Sequence, residues 1–303
     1  MGGARASGRG HRLHKPGVAG SSPAAANLSF NEPISAYHSD REWWSKSQLW
    51  TLRSGGVRAF AARYLGDPQT YGSTEALKKG TYVHEWAEVG DEAWWSRVVE
   101  IPADALGAGG RRTKATEQWE SEQKPDAILL KSDEVEAYRQ QFAAILANET
   151  FRQLTEETIA REFSIRWRDP SGLQLKCRPD AITDAVVWDL KTTREAKPLE
   201  TFWKSVVDYG YGFQQCLYLA GLQAAGLSIK EFVFLVTSTV PPYHCHAVTL
   251  PARLVGKAHK QLRQTIAELQ ARLEVDHWLP EDSGQVVELY IPERYMESRN
   301  AFR

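Results

Sequence analysis

The sequence has few cysteines and lacks long apolar runs. Its three cysteines, Cys177, Cys216 and Cys245, are scattered and form no C-x-x-C pair. This spacing excludes a zinc or iron–sulfur cluster built on cysteine and suits a reducing environment, so we expect a cytoplasmic protein. Because no apolar run is long enough to cross a bilayer, we expect no membrane partner. The motif G-x-x-x-x-G-K-[ST] is also missing, so the sequence carries no ATP-driven motor of that type.

Composition and charge are typical of a soluble globular protein. The 303 residues carry a net charge of -1, and 42% are hydrophobic, which suffices for one large or two small domains. With so little net charge, any surface that binds nucleic acid must be local. Residues 1–28 are rich in Gly, Ala, Ser, Arg and Pro, without periodicity or the apolar segment of a signal peptide. We therefore expect a disordered or non-native tail, followed by a single domain over residues 29–303.

A predicted β-hairpin in the middle of the chain carries the most informative polar residues. Residues 173–178 alternate between apolar and polar side chains, which is the period of a strand with one buried face. The Thr183-Asp184 pair is typical of a turn, and residues 186–193 after it are rich in β-branched and aromatic side chains. The pattern predicts two paired strands.

Pairing of these strands brings two carboxylates and an ammonium group together at the edge of the predicted sheet. Asp189 and Lys191 are two residues apart and project from one face, while Leu190 points to the core. Asp180, in Arg178-Pro179-Asp180, lies close to Asp189 once the strands pair. Carboxylates this close repel each other unless a cation lies between them, and Mg²⁺ prefers oxygen ligands. An ordinary strand pair with a surface Asp and Lys has the same pattern.

Lys191 gives this cluster a chemical interpretation. An ammonium group beside a bound cation could orient or activate a water and offset charge on a transferring phosphoryl group. That combination is the chemistry of phosphodiester hydrolysis.

A histidine earlier in the chain is a further candidate metal ligand. Gly80 precedes His84 by one helical turn, and Val83, Trp86 and Ala87 are expected to face inward. A glycine there allows close packing against a neighbour, and a neutral imidazole nitrogen can bind a metal ion. Taken alone, the histidine is explained more simply as a core residue with a satisfied hydrogen bond.

Two basic segments could contact phosphate groups. One is a predicted helix beginning near Ser45 or Ser47, and the other is a predicted loop over residues 102–118. The basic residues are Arg53, Arg58 and Arg63 in the helix and Arg111, Arg112 and Lys114 in the loop. A mobile basic loop can hold a phosphate backbone without reading sequence. The alternatives are a solvated helix side, which we favour for the helix, and an ordinary exposed loop.

The remaining patterns predict a mixed sheet flanked by helices. Strands are predicted over residues 161–167, 173–182, 231–238 and 243–250, and helices over 133–148, 203–225 and 252–274. Glu162 would then join the sheet beside Asp180, and Gln214 and Tyr218 would share one helix face. The fold class is α/β with a helical N-terminal addition. The tryptophans expected in the core are Trp86, Trp167, Trp188 and Trp203.

The order of these motifs resembles a known superfamily. The motifs are Gly80…His84, Glu162, Arg178-Pro179-Asp180, Asp189-Leu190-Lys191-Thr192-Thr193 and Gln214…Tyr218. In this order they are similar to the PD-(D/E)XK nucleases, and more narrowly to the RecE-type exonucleases, exodeoxyribonuclease VIII and its phage-borne relatives. The likeness covers roughly residues 35–295 and implies a restriction-endonuclease-like core.

The resemblance also implies roles for individual residues. His84, Asp180 and Asp189 match metal-ligand positions, with the Leu190 carbonyl as a backbone ligand. Lys191 matches the catalytic lysine, and Glu162 matches a supporting acid on the preceding strand. Gln214 and Tyr218 match a helix motif that helps to position the lysine or the phosphate. The hairpin has Asp189 where many relatives have Glu, a change that the superfamily permits.

The function implied is a DNA exonuclease that depends on Mg²⁺, or alternatively Mn²⁺. We expect it to degrade double-stranded DNA from free ends in the 5′→3′ direction, for end resection in phage or prophage recombination. Expected partners are a single-strand annealing protein and further copies of the same chain. The alternatives are a PD-(D/E)XK endonuclease, a RecB-type nuclease that serves a helicase, and a non-catalytic DNA-binding relative.

Overall fold

The computed structural model describes residues 26–66 and 75–280, together with Val286 and Glu288. Residues 1–25, most of the predicted tail, lie outside this range. The tail prediction is wrong at its last two residues, because Asn27 and Leu28 belong to a strand that pairs with Arg166 and Ile165.

The described residues form ten α-helices, ten strands and two short 3₁₀ helices, Ala103–Ala105 and Ala108–Gly110. The helices are α1 (Ile34–Ser39), α2 (Lys46–Tyr64), α3 (Glu75–Val89), α4 (Asp91–Trp95), α5 (Lys114–Ser121), α6 (Ser132–Leu146), α7 (Glu149–Glu156), α8 (Pro198–Asp208), α9 (Tyr211–Ala224) and α10 (Ala252–Val275). The strands are β1 (Asn27–Ser29), β2 (Val98–Glu100), β3 (Ile128–Leu130), β4 (Ala160–Arg161), β5 (Ser164–Arg168), β6 (Gln174–Cys177), β7 (Ala181–Ile182), β8 (Val186–Thr193), β9 (Glu231–Ser238) and β10 (Cys245–Val248). Of the helices in the described chain, none combines the length and hydropathy needed to cross a bilayer.

The main sheet is mixed, as predicted. Its five strands follow the order β10-β9-β8-β7-β4, with β8 in the centre. β8 and β9 run parallel, whereas the other neighbours are antiparallel. The predicted segments 133–148, 231–238 and 252–274 are confirmed as α6, β9 and α10, and 243–250 contains the shorter β10.

Alternate residues of the central strands pack on opposite faces of the sheet. Val187 and Phe234 join a core that α2, α9 and α10 cover with apolar side chains. Trp188 and Leu190 join a second core formed with α3, α6 and α7. This period of two puts Asp189 on the first face, where its side chain is 1% exposed. Because apolar side chains of α2 pack in the first of these two cores, this helix near the N-terminus is part of the main core.

Two predicted strands each divide between two sheets. Segment 161–167 becomes β4 in the main sheet and β5 in a second sheet of order β1-β5-β6, while segment 173–182 becomes β6 and β7. The first break falls at Glu162, whose φ of 44° is left-handed. The second falls at residues 178–180, where Pro179 has no N–H to donate to a ladder. Both breaks place a candidate site residue between two sheets.

The predicted helix 203–225 is two helices, because the chain turns at Gly210. Gly210 has a φ of 63°, and a Cβ there would lie 2.5 Å from the Trp50 ring. Trp50 also donates its indole N–H to the Asp208 carbonyl over 3.1 Å. Only a glycine permits both this backbone conformation and this approach.

Two further predictions are corrected. The loop predicted over 102–118 contains two short 3₁₀ turns and then α5 from Lys114, because the Thr113 side chain accepts from the Thr116 amide at the helix start. Trp203 is 61% exposed, so its assignment to the core is wrong. The core assignments of Trp86, Trp167 and Trp188 are confirmed.

Candidate active site

The polar residues of the predicted hairpin meet just before β7 begins, beside the central strand β8. β7 pairs with β8 only through Ala181↔Trp188 and Ile182↔Val187. Beyond Trp188, β8 no longer pairs with β7, and Asp189 and Lys191 line a cleft. The predicted location at the edge of the sheet is therefore wrong, since β8 is the central strand.

Two carboxylates and one imidazole form a cluster at this point. His84 of α3, Glu162 between β4 and β5, and Asp180 before β7 offer ligand atoms that all lie within 4.8 Å of one another. Nδ1 of His84 is 3.3 Å from Oδ2 of Asp180. The same Asp180 oxygen accepts the Leu190 backbone N–H over 2.7 Å, and the Leu190 backbone also hydrogen-bonds to His84. A nitrogen and two carboxylates converging in this way are a donor set that fits a divalent cation.

Asp189 lies in a neighbouring group of side chains. Its carboxylate accepts from the Gln214 side-chain amide and forms an ion pair with Lys191. Lys191 Nζ also lies 5.1 Å from the centre of the Tyr211 ring. Among the described residues, Glu162 rather than Asp189 thus completes the close group with His84 and Asp180. Asp189 as a metal ligand stays a prediction.

The electrostatics of the cluster favour a cation. Burial and the nearby Asp189 raise the pKa of Asp180 to about 8. Burial and Asp180 raise the pKa of Glu162 to about 7, although Arg178 opposes that shift. Burial and Lys191 lower the pKa of His84, which keeps the imidazole neutral. Two carboxyl groups that ionise reluctantly beside a neutral imidazole gain from a bound positive charge.

Lys191 stays charged despite its burial. Burial lowers its pKa, but Asp189 and Asp180 outweigh that effect, so the pKa lies above the ordinary lysine value. An ammonium group is therefore held beside the two aspartates.

The helix residues Gln214 and Tyr218 lie in the same cleft, on α9. Gln214 is buried and bound to Asp189, and Tyr218 is partly buried with its ring 6.3 Å from that of Phe232. Gly210 sets this placement, because the Gln214 N–H donates to its carbonyl at the start of α9. The structure thus brings all seven predicted side chains to one cleft of about 1920 Å³.

The cleft also contains Lys46, for which the sequence patterns predict no role. Lys46 donates to the Tyr209 carbonyl, and its Nζ lies 5.9 Å from the Tyr211 ring centre. Burial, with the charge of Lys191, lowers its pKa to about 8. Its position directly after Ser45, a predicted helix start, was the available signal, but the contact depends on the turn at Gly210.

The predicted phosphate-binding arginines are mostly elsewhere. Arg63 lines the cleft, whereas Arg53, Arg58, Arg111 and Arg112 are exposed residues outside its lining. Arg112 instead pairs with Glu120 over 3.3 Å. The cationic lining includes Arg41, Lys46, Lys79, Lys176, Arg178 and Arg194.

A mixed sheet with this cluster at its centre defines a PD-(D/E)XK-type nuclease domain. The chain belongs to the family described as PDDEXK-like domain of unknown function (DUF3799), which it matches over residues 45–288. It is also similar to a crystal structure described as "Putative exonuclease" from Eubacterium rectale. That similarity has a TM-score of 0.54 and 14% identity and covers 89% of this chain and 100% of the other. No curated protein matches the chain.

These comparisons confirm the superfamily and the restriction-endonuclease-like fold expected from the motifs. They support a nuclease, and nucleases of this superfamily use divalent metals. The RecE-type branch stays a prediction.

Proposed function

We propose that this protein is a Mg²⁺-dependent deoxyribonuclease that hydrolyses phosphodiester bonds from the ends of duplex DNA. The observation that carries this proposal is the cluster of His84, Glu162 and Asp180 beside a charged Lys191 in one cleft. The exonucleolytic mode and the 5′→3′ direction rest on the resemblance of the motifs to RecE-type enzymes.

The cluster would hold the metal ion through one imidazole nitrogen and two carboxylates. The Leu190 backbone, which hydrogen-bonds to both His84 and Asp180, lies within reach of the same point. When bound, a divalent cation supplies Lewis-acid stabilisation of the phosphoryl oxygens and lowers the pKa of water. We propose Mg²⁺ because two of the three side chains offer oxygen, and Mn²⁺ as the alternative ion.

Lys191 would act on the phosphate and on the attacking water. Its ammonium group is kept charged by Asp189, and Gln214 fixes the other side of that carboxylate. A charged donor held in a buried site stabilises negative charge that develops on a phosphoryl group. Lys191 can also orient the attacking water, and Asp189 can accept a hydrogen bond from that water.

The cleft would accept the sugar–phosphate backbone. Its wall carries cationic side chains at Lys46, Lys79 and Arg194, which contact phosphates without reading bases. We propose end resection in recombination as the cellular role, with a single-strand annealing protein and further copies of this chain as partners.

A comparison of linear and closed circular duplexes tests this function. We expect the purified protein to release label from the ends of a linear duplex in Mg²⁺, to do nothing in chelator, and to leave a covalently closed circle intact. Labels at the 5′ and 3′ ends, with and without a 5′ phosphate, give the direction. Cutting of the circle would indicate the endonuclease alternative, and no metal-dependent cleavage of any DNA would indicate a non-catalytic relative.

A further inference from the structure

Arg178 joins one residue of the candidate metal centre to the N-terminal part of the domain. Its Nε donates to Oε2 of Glu162 over 2.9 Å. Its Nη1 donates to the Glu32 carbonyl over 3.0 Å and to Oγ of Ser164 over 3.1 Å. The Arg178 side chain is only 11% exposed. A planar guanidinium bound at several points has one orientation, so it fixes the carboxylate that it contacts.

The N-terminal clasp, which we define as residues 27–40, is itself firmly attached to β5 and β6. β1 pairs with β5. Arg166 of β5 contacts Glu32 over 2.6 Å and Asp40 over 2.8 Å. The Lys176 ammonium donates to the Tyr37 and Asp40 carbonyls, each over 2.5 Å. The Glu32 carbonyl that Arg178 contacts is therefore a fixed point.

Glu162 needs an anchor because its backbone and its charge both oppose its position. Its φ of 44° is uncommon for a residue with a side chain. Its carboxylate also has an oxygen within 4.8 Å of a ligand atom of Asp180, and two carboxylates this close repel each other. Two contacts oppose these effects: the Glu162 N–H donates to the Asp180 carbonyl over 2.9 Å, and Arg178 holds the side chain.

We propose that Arg178 is a positioning residue for the metal centre. It holds the Glu162 carboxylate toward His84 and Asp180, and it makes the N-terminal clasp a structural part of that centre. The inference rests on the proposed metal site, and it adds a residue that does not itself bind the ion. Partners that orient metal ligands in this way are worth about tenfold to a hundredfold in metal affinity.

Mn²⁺ binding to the full-length protein without DNA tests this role. R178K keeps the positive charge but cannot contact Glu162, Ser164 and the clasp together. We expect it to raise the dissociation constant for Mn²⁺, measured by titration calorimetry, about tenfold, with circular dichroism unchanged. The matched control is R168K, because Arg168 of β5 is exposed and donates to the Gly172 carbonyl at 3.3 Å. This control should bind Mn²⁺ as the wild type does.

A double-mutant cycle separates positioning from a general structural effect. If Arg178 acts through Glu162, then R178K in an E162Q background causes no further loss of Mn²⁺ affinity. If R178K fails to fold, S164A removes one Arg178 acceptor without changing charge and should weaken Mn²⁺ binding by a smaller factor. Normal Mn²⁺ binding by R178K, or by S164A where R178K does not fold, would overturn the inference. A loss of Mn²⁺ affinity on adding R178K to the E162Q background would also overturn it. A wild-type protein that binds no Mn²⁺ would instead overturn the proposed metal site, and this inference with it.

Discussion

Nδ1 of His84 lies 3.3 Å from Oδ2 of Asp180, and the same oxygen accepts the Leu190 amide N–H. Helix α3 thus supplies an imidazole to a carboxylate that lies between β6 and β7. Because burial and Lys191 lower the pKa of His84, the imidazole is neutral near pH 7, which is the form that binds a cation. This pair is the basis of the proposed metal site.

Replacing the imidazole should weaken metal binding without unfolding the protein. We expect H84A to raise the Mn²⁺ dissociation constant at least about tenfold, because one of the three ligand side chains is lost. Calorimetric titration measures this directly. The control is H259A, since His259 is exposed on α10 and does not line the cleft. Equal Mn²⁺ affinities in H84A and H259A would contradict the assignment.

Removing the ammonium group should abolish cleavage while metal binding persists. We expect K191A to lower the rate of end-labelled duplex hydrolysis at least about a hundredfold, because a preorganised charge at the phosphoryl group is lost. Mn²⁺ affinity should change far less, since Lys191 is not in the ligand cluster.

The control for Lys191 is another lysine of the same domain. K204A changes an exposed residue of α8 and should retain full activity. If K191A cleaves as fast as K204A, then Lys191 has no role in the reaction.

Gln214 should contribute to the stability of the fold. Its amide donates to the Asp189 carboxylate, which is 1% exposed and cannot turn to water. We expect Q214A to lower the free energy of unfolding by about 1–3 kcal/mol, the cost of a buried acceptor that loses its donor. Urea denaturation measures it, with Q223A, an exposed position on the same helix, as the control. A loss in Q223A as large as that in Q214A would argue against the Asp189 contact.

The N-terminal clasp should make the free energy of unfolding depend on pH in the acid range. The hydrogen bond from Arg166 holds the pKa of Glu32 below its ordinary value. The ionised carboxylate therefore stabilises the fold above pH 4.5, and this contribution is lost as the pH falls through the lower native pKa. E32Q should be less stable than the wild type by about 1.5–3 kcal/mol at pH 7, and the difference should shrink toward pH 3.

Denaturation curves across this pH range check the prediction. The exposed Glu42 lies near the clasp, so E42Q serves as the control and should follow the wild type throughout. A stability difference between E32Q and the wild type that is constant from pH 7 to pH 3 would contradict the account.

The sequence predicts the hairpin site because short-range rules determine it. A turn at Thr183-Asp184 sets the register of β7 against β8, and that register brings Asp180 to the level of Asp189. The buried strand β9 and the amphipathic helices α6 and α10 follow equally from local patterns. The superfamily follows from the order of the motifs.

The sequence does not predict features that depend on tertiary contacts. The predicted position of Glu162 beside Asp180 is confirmed, but no local pattern reveals that β4 and β5, on either side of Glu162, belong to different sheets. The break between α8 and α9 depends on Trp50 packing against Gly210. That break in turn brings Lys46 to the Tyr209 carbonyl. The exposure of Trp203 on α8 has no local signal either.

The most direct test of the account is a crystal structure with Mn²⁺, with data collected for anomalous scattering from the metal. The account predicts an anomalous peak bonded to the imidazole of His84 and to the carboxylates of Glu162 and Asp180. At saturating Mn²⁺, a structure without a peak at these three residues, or with the metal bound elsewhere in the cleft, would contradict it.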